Sequence, residues 1–283
     1  MVSLVILSYN KRDLTAECLK TIFQYIPEKS AEVIVVDNAS SDDSVEYIKK
    51  HFPKVKVIEN TKNAGFAGGC NLGAKHAKGD YILFLNNDAK LSNDPLPALI
   101  DVFDQHEKTA IVGGLLANHN GSPQRSYGSF YTILNVAYLL FAGESGELKR
   151  FQGKEITSTD WVSGGFMLVK RDVFEKVKGF NESYFMYIED MDLCYRIKKA
   201  GYSIYNTPFA KVEHLGQGST NKAFAIVHIF EGLQIFYKQQ RSLVEYYLVK
   251  LLLFIKALSA LTIGIVTKNK YLITTYRDAL KTL

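Results

Sequence analysis

The chain has 283 residues, of which 47% are hydrophobic and 22% charged, a balance that excludes a disordered polypeptide and suits one large α/β domain with an appendage. Three cysteines, Cys18, Cys70 and Cys194, are odd in number and lack CxxC spacing, which argues against a disulfide or zinc framework and for reduced, buried thiols in a cytoplasmic protein. The net charge of +5 is uneven: residues 222–283 carry nine Lys/Arg against three acids, leaving 25 basic and 26 acidic residues in 1–221. A basic segment that is also very apolar points to an anionic membrane surface rather than nucleic acid.

Along the chain, VSLVILS (2–8) is a β-rich run, too short for a signal peptide and read as a buried first strand. Apolar residues from Asp13 to Tyr25 then recur at helical spacing. EVIVVD (32–37) is a second strand, 41–52 a helix with acids at its start, and VKVIE (55–59) a third strand. A helix is expected through Asn71 to His76. DYILFLN (80–86) is continuously apolar, as a strand covered on both faces should be. A fifth strand is expected over 110–116. Two polar stretches, 118–129 and 143–159, read as loops around a short apolar piece. WVSGGFMLVKR (161–171) reads as one strand, 170–179 as a helix closed by glycine, and 188–201 as a helix with acids first and basic residues last. Beyond Ser219 only helical signals remain.

This alternation predicts an α/β fold with a mainly parallel sheet flanked by helices. Ligands of such sheets sit at the carboxyl ends of the strands, which singles out Ser8-Tyr9-Asn10, Asp37-Asn38 and Asn86-Asn87-Asp88. A carboxylate at Asp37 suits a base or ribose, and serves equally as a turn or helix-cap residue. NAGFAGGCN (63–71) places glycines before a helix, as phosphate loops do, but it is neither a dinucleotide nor a P-loop pattern. Asp88 could hold Mg²⁺ or Mn²⁺ against a diphosphate, although strand-end aspartates are commonly turn residues. IEDMD (188–192) puts Glu189 and Asp192 near one helical face and Asp190 elsewhere, behind an aromatic leader that suits a desolvated base. His214 gains weight only alongside a metal at Asp88.

Taken in order, VILSYNKRDLTAECLKTI, IVVDNASSDDS, NAGFAGGCNLG, YILFLNNDA, WVSGGFMLVKRDVFEKVKGF and YIEDMDLCYRIKKAGY resemble the family 2 glycosyltransferases of GT-A fold. The likeness runs from Val2 to about Thr220 and is strongest to bacterial rhamnosyl- and galactofuranosyltransferases of cell-surface polysaccharides. It implies that Tyr9 and Asp37, with Ser8 and Asn10 beside them, contact the nucleoside, and that Asn63 and Gly68 lie near the diphosphate. Asn87 and Asp88 fall in the family's Asp-x-Asp motif, Asp88 being the metal-reaching carboxylate and His214 completing the metal site. Asp190 matches the catalytic base, while Trp161, Gly164 and Gly165, with Glu189, line the donor and acceptor cleft. The first carboxylate of the motif is replaced by Asn86.

The implied enzyme is an inverting transferase using a nucleotide diphosphate sugar, with dTDP-rhamnose favoured over UDP-hexoses or UDP-galactofuranose. Its acceptor would be a glycan or lipid-linked hydroxyl. A nucleotidyltransferase is disfavoured because SYNKRD lacks the glycines of a basic phosphate loop. An inactive sugar-nucleotide-binding subunit is disfavoured by the presence of both Asp88 and Asp190. The expected organisation is a catalytic domain over 1–221 and a helical segment over 222–283 that lies on the inner face of the cell membrane or mediates a homodimer. The apolar run 243–266 is interrupted by Glu245, Lys250 and Lys256, so its longest charge-free stretch, 257–267, is short of the roughly 20 residues of a span.

Overall fold

The computed structural model describes residues 1–141, 154–216 and 222–283. Most of the expected 143–159 loop and the junction at 221 lie outside them. The described residues fall into two compact units: 1–129, 154–182 and 190–216 form the first, and 130–141, 183–189 and 222–283 the second.

The first unit opens with β1 (Val2–Ser8), α1 (Arg12–Tyr25), β2 (Ala31–Asp37), α2 (Ser44–His51), β3 (Lys56–Glu59), α3 (Gly65–Ala74) and β4 (Tyr81–Asn86). Then come β5 (Ala89–Lys90), α4 (Leu96–Gln105), β6 (Thr109–Ala117) and β7 (Tyr127–Gly128). After α5 (Ile133–Phe141) of the second unit follow β8 (Thr157–Ser158), β9 (Trp161–Val162), β10 (Phe166–Lys170), α6 (Arg171–Lys176), α7 (Glu189–Lys199) and β11 (Ser203–His214). The second unit is completed by α8 (Lys222–Gln240), α9 (Leu243–Val266) and α10 (Lys270–Lys281).

The main sheet has the order β3-β2-β1-β4-β10-β6-β11-β5. Strands β3, β2, β1 and β4 are parallel, β10 runs antiparallel between β4 and β6, and β11 is again parallel to β6. β1 pairs with β2 on one side and β4 on the other, so the chain leaves it in both directions and a crevice opens at the strand ends. Register puts Ser8 opposite Asp37, and Leu7 opposite Asn86. Because β10 is reversed, its beginning, rather than its end, arrives at that same edge: Phe166 pairs with Leu85. The edge thereby receives side chains from strands and turns remote in sequence.

The strands are apolar because both faces are covered. Leu4, Ile6, Val33, Val35, Leu83, Leu85 and Leu168 join one continuous core with Leu19 and Ile22 of α1. Phe84, Phe174 and Phe180 form an aromatic cluster with ring centroids 5.1–5.5 Å apart, two of the three pairs meeting edge to face. All three cysteines are buried, and none is in a disulfide.

Two elements differ from the sequence expectation. The helix expected at Asn71 begins at Gly65 and contains the glycines instead of following them. They are packing residues: a Cβ on Gly73 would run into Val5 and Val36, and one on Gly69 into Leu7, so α3 lies closer to the sheet than a side chain permits. The single strand expected over 161–171 is broken in two. Trp161–Val162 pairs with Tyr127–Gly128 in a separate ribbon, and the turn at 163–165 redirects the chain into β10. Pairing with this ribbon also gives structure to the end of the expected 118–129 loop.

In the second unit, α9 packs against α8, α10 and α5 through a stripe of Val249, Leu253, Ala257, Ala260 and Gly264. A capping box between Ser242 and Glu245 starts the helix. By length and composition α9 is long and apolar enough to cross a membrane.

Candidate active site

At the tips of β1 and β2, backbone amides and short polar side chains stitch two loops together. The Asn10 amide donates to Ser40 Oγ at 2.9 Å, Asn10 Oδ1 accepts from the Ser41 amide at 2.7 Å, and Asp37 Oδ2 accepts from the Ser40 amide at 2.9 Å. Asn10 and Ala39 adopt left-handed backbone, φ 50° and 64°, a conformation that costs energy for non-glycine residues and is held by these bonds. Tyr9 stands 45% exposed above them.

Asp37 is 4% exposed, and its second oxygen, Oδ1, is buried without a hydrogen-bond partner. An unsatisfied carboxylate oxygen costs about 1–3 kcal/mol or more, so Asp37 Oδ1 is a lone-pair site left open within the protein. Behind it, Asn38 ties down the loop before α3. Its Nδ2 donates to Asn63 Oδ1 at 2.8 Å, and its Oδ1 accepts from Asn60 Nδ2 and the Ala64 amide, both at 3.1 Å.

The side chains of three residues expected near the donor, Ser8, Asn87 and Asn63, are engaged within the protein. Ser8 Oγ shares a 2.9 Å hydrogen bond with Thr15 Oγ1, and Asn87 Nδ2 donates to that same Thr15 oxygen at 3.0 Å, so both side chains turn into α1. Asn63 Oδ1 is taken by Asn38 and by the Gly65 amide at 3.0 Å. Gly68 lies inside α3, where a Cβ would meet that of Ala64 at 2.8 Å; helix packing accounts for this glycine.

At the other end of the edge, Asp88 and His214 meet. Asp88 Oδ1 lies 3.1 Å from His214 Nε2, with Asp88 only 4% exposed. Asn86 Nδ2 is 3.0 Å from the same nitrogen, and the imidazole's Nδ1 is 2.6 Å from Gln124 Oε1. The pair arises because β5 folds back on the end of β11, placing Ala89 opposite His214.

An oxygen and a nitrogen at this spacing fit two adjacent ligands of one small divalent ion, for which bonds of about 2.1 Å set neighbouring ligands about 3 Å apart. Among the described residues no cluster of three or more His, Cys, Asp or Glu side chains offers a complete cage. Asp88 and His214 thus supply two of an ion's ligands, and the rest would have to come from a ligand's oxygens and water.

The two halves of the edge are joined through the 163–165 turn. The Asn86 amide donates to the Gly165 carbonyl at 3.0 Å, and a Cβ on Gly165 would stand 2.9 Å from Asn86 Nδ2. The neighbouring Gly164 amide donates to Asp190 Oδ2 at 3.2 Å, and a Cβ there would press on Phe66 at 2.9 Å. At both glycines a side chain would crowd these neighbours. Asp190 Oδ1 accepts from the Met191 amide at 2.8 Å. Burial pushes the Asp190 carboxyl above its ordinary value, against the opposing effects of the Gly164 and Met191 amides and the charge of Arg125. Tyr187 and Ile188, immediately before α7, both have φ of 70°.

The three acids of IEDMD have separate fates. Glu189 is buried, Asp190 is partly accessible, and Asp192 is fully buried against Arg196, whose Nε donates at 2.7 Å. Arg196 also donates to the carbonyls of Val177 and Gly179, so that ion pair ties α7 to the end of α6. Trp161 is buried, its indole N–H donating to the Ser129 carbonyl at 3.0 Å, while the Arg125 guanidinium lies 5.4 Å over its ring. Thr15, Asn60, Gln124 and Arg125 were not legible as site residues: each is an ordinary polar residue whose partner is supplied by a distant segment.

Residues 3–178 match the glycosyl transferase family 2 domain, and residues 154–217 a domain described as the N-terminal domain of galactosyltransferase. Over 214 residues the chain is 26% identical to the N-acetylglucosaminyl-diphospho-decaprenol L-rhamnosyltransferase of Mycobacterium tuberculosis, covering 69% of this chain and 70% of that one. Identity is also 26% over 236 residues to the rhamnosyltransferase WbbL of Escherichia coli, covering 80% and 87%. Among solved structures, the Pyrobaculum calidifontis mannosyltransferase PcManGT, in complex with GDP-Man and Mn²⁺, superposes with a TM-score of 0.60 at 17% identity, covering 99% of this chain and 85% of that one. GalNAc-T7 with UDP, GalNAc and Mn²⁺ gives 0.64 at 17% identity, covering 84% of this chain but only 48% of its own length. These likenesses show the GT-A fold. The chain belongs to glycosyl transferase family 2 and is a glycosyltransferase.

Proposed function

We propose that the chain is an inverting transferase that moves a sugar, with dTDP-rhamnose the favoured donor, onto a hydroxyl of a cell-surface glycan or lipid-linked acceptor. The observation that carries this reading is the bonded path from Asp190 through Gly164, Gly165 and Asn86 to His214 and Asp88, which sets a partly desolvated carboxylate and a cation-ready pair at one sheet edge. The rhamnosyltransferase relatives favour the donor sugar.

Tyr9 and Asp37 receive the nucleoside, the free lone pairs of Asp37 Oδ1 accepting from its hydroxyl or N–H groups. Asp88 and His214 would hold Mg²⁺ or Mn²⁺, which supplies positive charge to the diphosphate leaving group. Asp190 takes the proton of the acceptor hydroxyl as that oxygen attacks the anomeric carbon. The bond from that carbon to the diphosphate breaks on the opposite face, inverting the centre. No covalent intermediate is required.

The second unit fits an anionic membrane at the cytoplasmic face. Tyr247, Leu251, Phe254 and Leu258 are exposed at helical spacing on α9, with the basic excess of 222–283 around them. A thermal-shift screen of nucleotide sugars with and without Mn²⁺ tests the donor reading. A Mn²⁺-dependent rise in Tm with dTDP-rhamnose supports it; a rise confined to UDP-hexoses or UDP-galactofuranose transfers the assignment to those donors.

A further inference from the structure

The polar loop after β6 contributes a residue that no motif marks. Gln124 uses every part of its amide on one neighbourhood. Its Nε2 donates to the His214 carbonyl at 2.7 Å and to Asn118 Oδ1 at 2.8 Å, and its Oε1 lies 2.6 Å from His214 Nδ1. The orientation of the amide is fixed by its partners. Turning it over would set Oε1 against two oxygen acceptors, the His214 carbonyl and Asn118 Oδ1. Asn118 is itself oriented, since its Nδ2 donates to Ser122 Oγ at 2.8 Å, and Ser122 Oγ donates to Asn120 Oδ1 at 2.6 Å.

With Oε1 facing the ring, Nδ1 carries the proton and donates, and the Nε2 lone pair accepts from Asn86 Nδ2 at 3.0 Å, beside Asp88 Oδ1. The backbone reinforces the clamp. The Gln124 amide donates to the Leu116 carbonyl at 2.8 Å, and the Asn118 amide donates to the Ser122 carbonyl at 2.8 Å, closing the loop. Gln124 is thereby held to the strand that runs beside β11, the strand bearing His214.

We infer that Gln124 is a positioning residue that locks His214 in its Nδ1–H tautomer and aims Nε2 at the cation site shared with Asp88. The inference rests on the metal-assisted reading above, but the hydrogen-bond pattern is independent of it. Partners of this kind, one shell removed from the ion, typically hold about 10- to 100-fold of a metal site's affinity.

The test compares wild type with Gln124→Leu, which removes both functions of the amide, and Gln124→Glu, which keeps an acceptor for Nδ1–H. Two-bond ¹H–¹⁵N spectra of the metal-free protein, at a pH where the imidazole is neutral, read the tautomer, with His214→Gln identifying the resonance. Electron paramagnetic resonance titration of Mn²⁺ in the presence of dTDP reads the affinity, and far-UV circular dichroism confirms that each variant is folded. The expected result is an Nδ1–H ring in wild type and Gln124→Glu, a mixed tautomer in Gln124→Leu, and Mn²⁺ binding about 10- to 100-fold weaker in Gln124→Leu alone. An Nε2–H ring in wild type, or equal Mn²⁺ affinity in wild type and Gln124→Leu, overturns the inference and leaves the metal reading standing. Absence of Mn²⁺ binding in wild type with dTDP, and equally with UDP in its place, overturns the metal reading, and the positioning role falls with it.

Discussion

The two ends of the sheet edge are built on different plans. The end formed by β1 and β2 is made from residues within the first 65 positions, tied by backbone amides and side chains such as Ser40, Asn38 and Asn60. The end around Asp88 gathers residues from five separate stretches: 86–88, 124, 163–165, 190 and 214. The first holds its shape through strained local loops, and the second through the register of strands that meet only in the folded sheet. Local loops suit recognition of a nucleoside common to many donors. Long-range assembly suits a constellation that must be rigid to orient a base, a leaving group and an acceptor.

If the two ends do separate tasks, substitutions should divide turnover from donor affinity. The largest effect is expected at Asp190. Asp190→Asn keeps the shape but cannot accept a proton, so kcat should fall about 10²–10⁴-fold while the donor Kd measured by calorimetry stays near wild type. Glu189→Gln is the control. Loss of turnover in Glu189→Gln with an active Asp190→Asn moves the base to the neighbouring acid, and activity in both removes the base reading.

The raised pKa of Asp190 gives the same variant two further signatures. The base works ionised, so activity should fall as pH drops through a value above the ordinary carboxylate's 3.9 or so, and that acid limb should vanish in Asp190→Asn. The folded state binds this proton more tightly than the unfolded chain. Ionisation therefore costs stability, not at all below the unfolded pKa and fully above the folded one. Asp190→Asn should accordingly raise Tm at neutral pH, and a lowered Tm would show that the charge is compensated.

A smaller effect is expected at the cation pair. Asp88→Asn and His214→Ala should each weaken Mn²⁺-dependent donor binding, and the double variant should lose little more, because residues acting on one ion are not additive. Strictly additive losses, or wild-type affinity in His214→Ala, would separate the two residues. Smaller again is Asp37→Asn, which should raise the donor Kd about tenfold, the scale of a hydrogen bond to a charged group, with kcat little changed. A fall in kcat without a change in Kd would dissolve the division between the two ends.

The mildest prediction concerns the second unit. Leu251→Glu combined with Phe254→Glu, on the exposed face of α9, should reduce co-sedimentation with anionic vesicles while activity on a soluble acceptor persists. Unchanged pelleting would refute the membrane assignment, and a loss of oligomer mass on the same substitutions would assign the face to a second copy of the chain.

Most of the scaffold was written locally. Continuous apolar runs such as ILFL cannot be exposed on either face, so they announce buried parallel strands, and their polar ends at Asp37 and Asp88 announce the edge where a ligand sits. The glycines of α3 are visible in the sequence, but a glycine before a phosphate-binding helix and one that packs a helix on a sheet look alike until the neighbour is known, and those of the 163–165 turn are legible as cleft residues without the partners that surround them. Leu7 and Val5 decided the first case, Phe66 and Asn86 the second. Likewise Ser8 and Asn87 stood in suggestive motifs, yet Thr15 claims both side chains. The sequence by itself determined the α/β order, the strand-end carboxylates and the acidic start of α7, since each follows from periodicity or charge within a few residues. The family resemblance pairs Asp88 with His214; only the tertiary structure decided how that pair is reached, that Gln124 grips the other side of the ring, and that Gly164 holds Asp190. Those contacts depend on a reversed β10 and on β5 folding back to β11, and strand register between distant segments is fixed by the packing of the whole sheet.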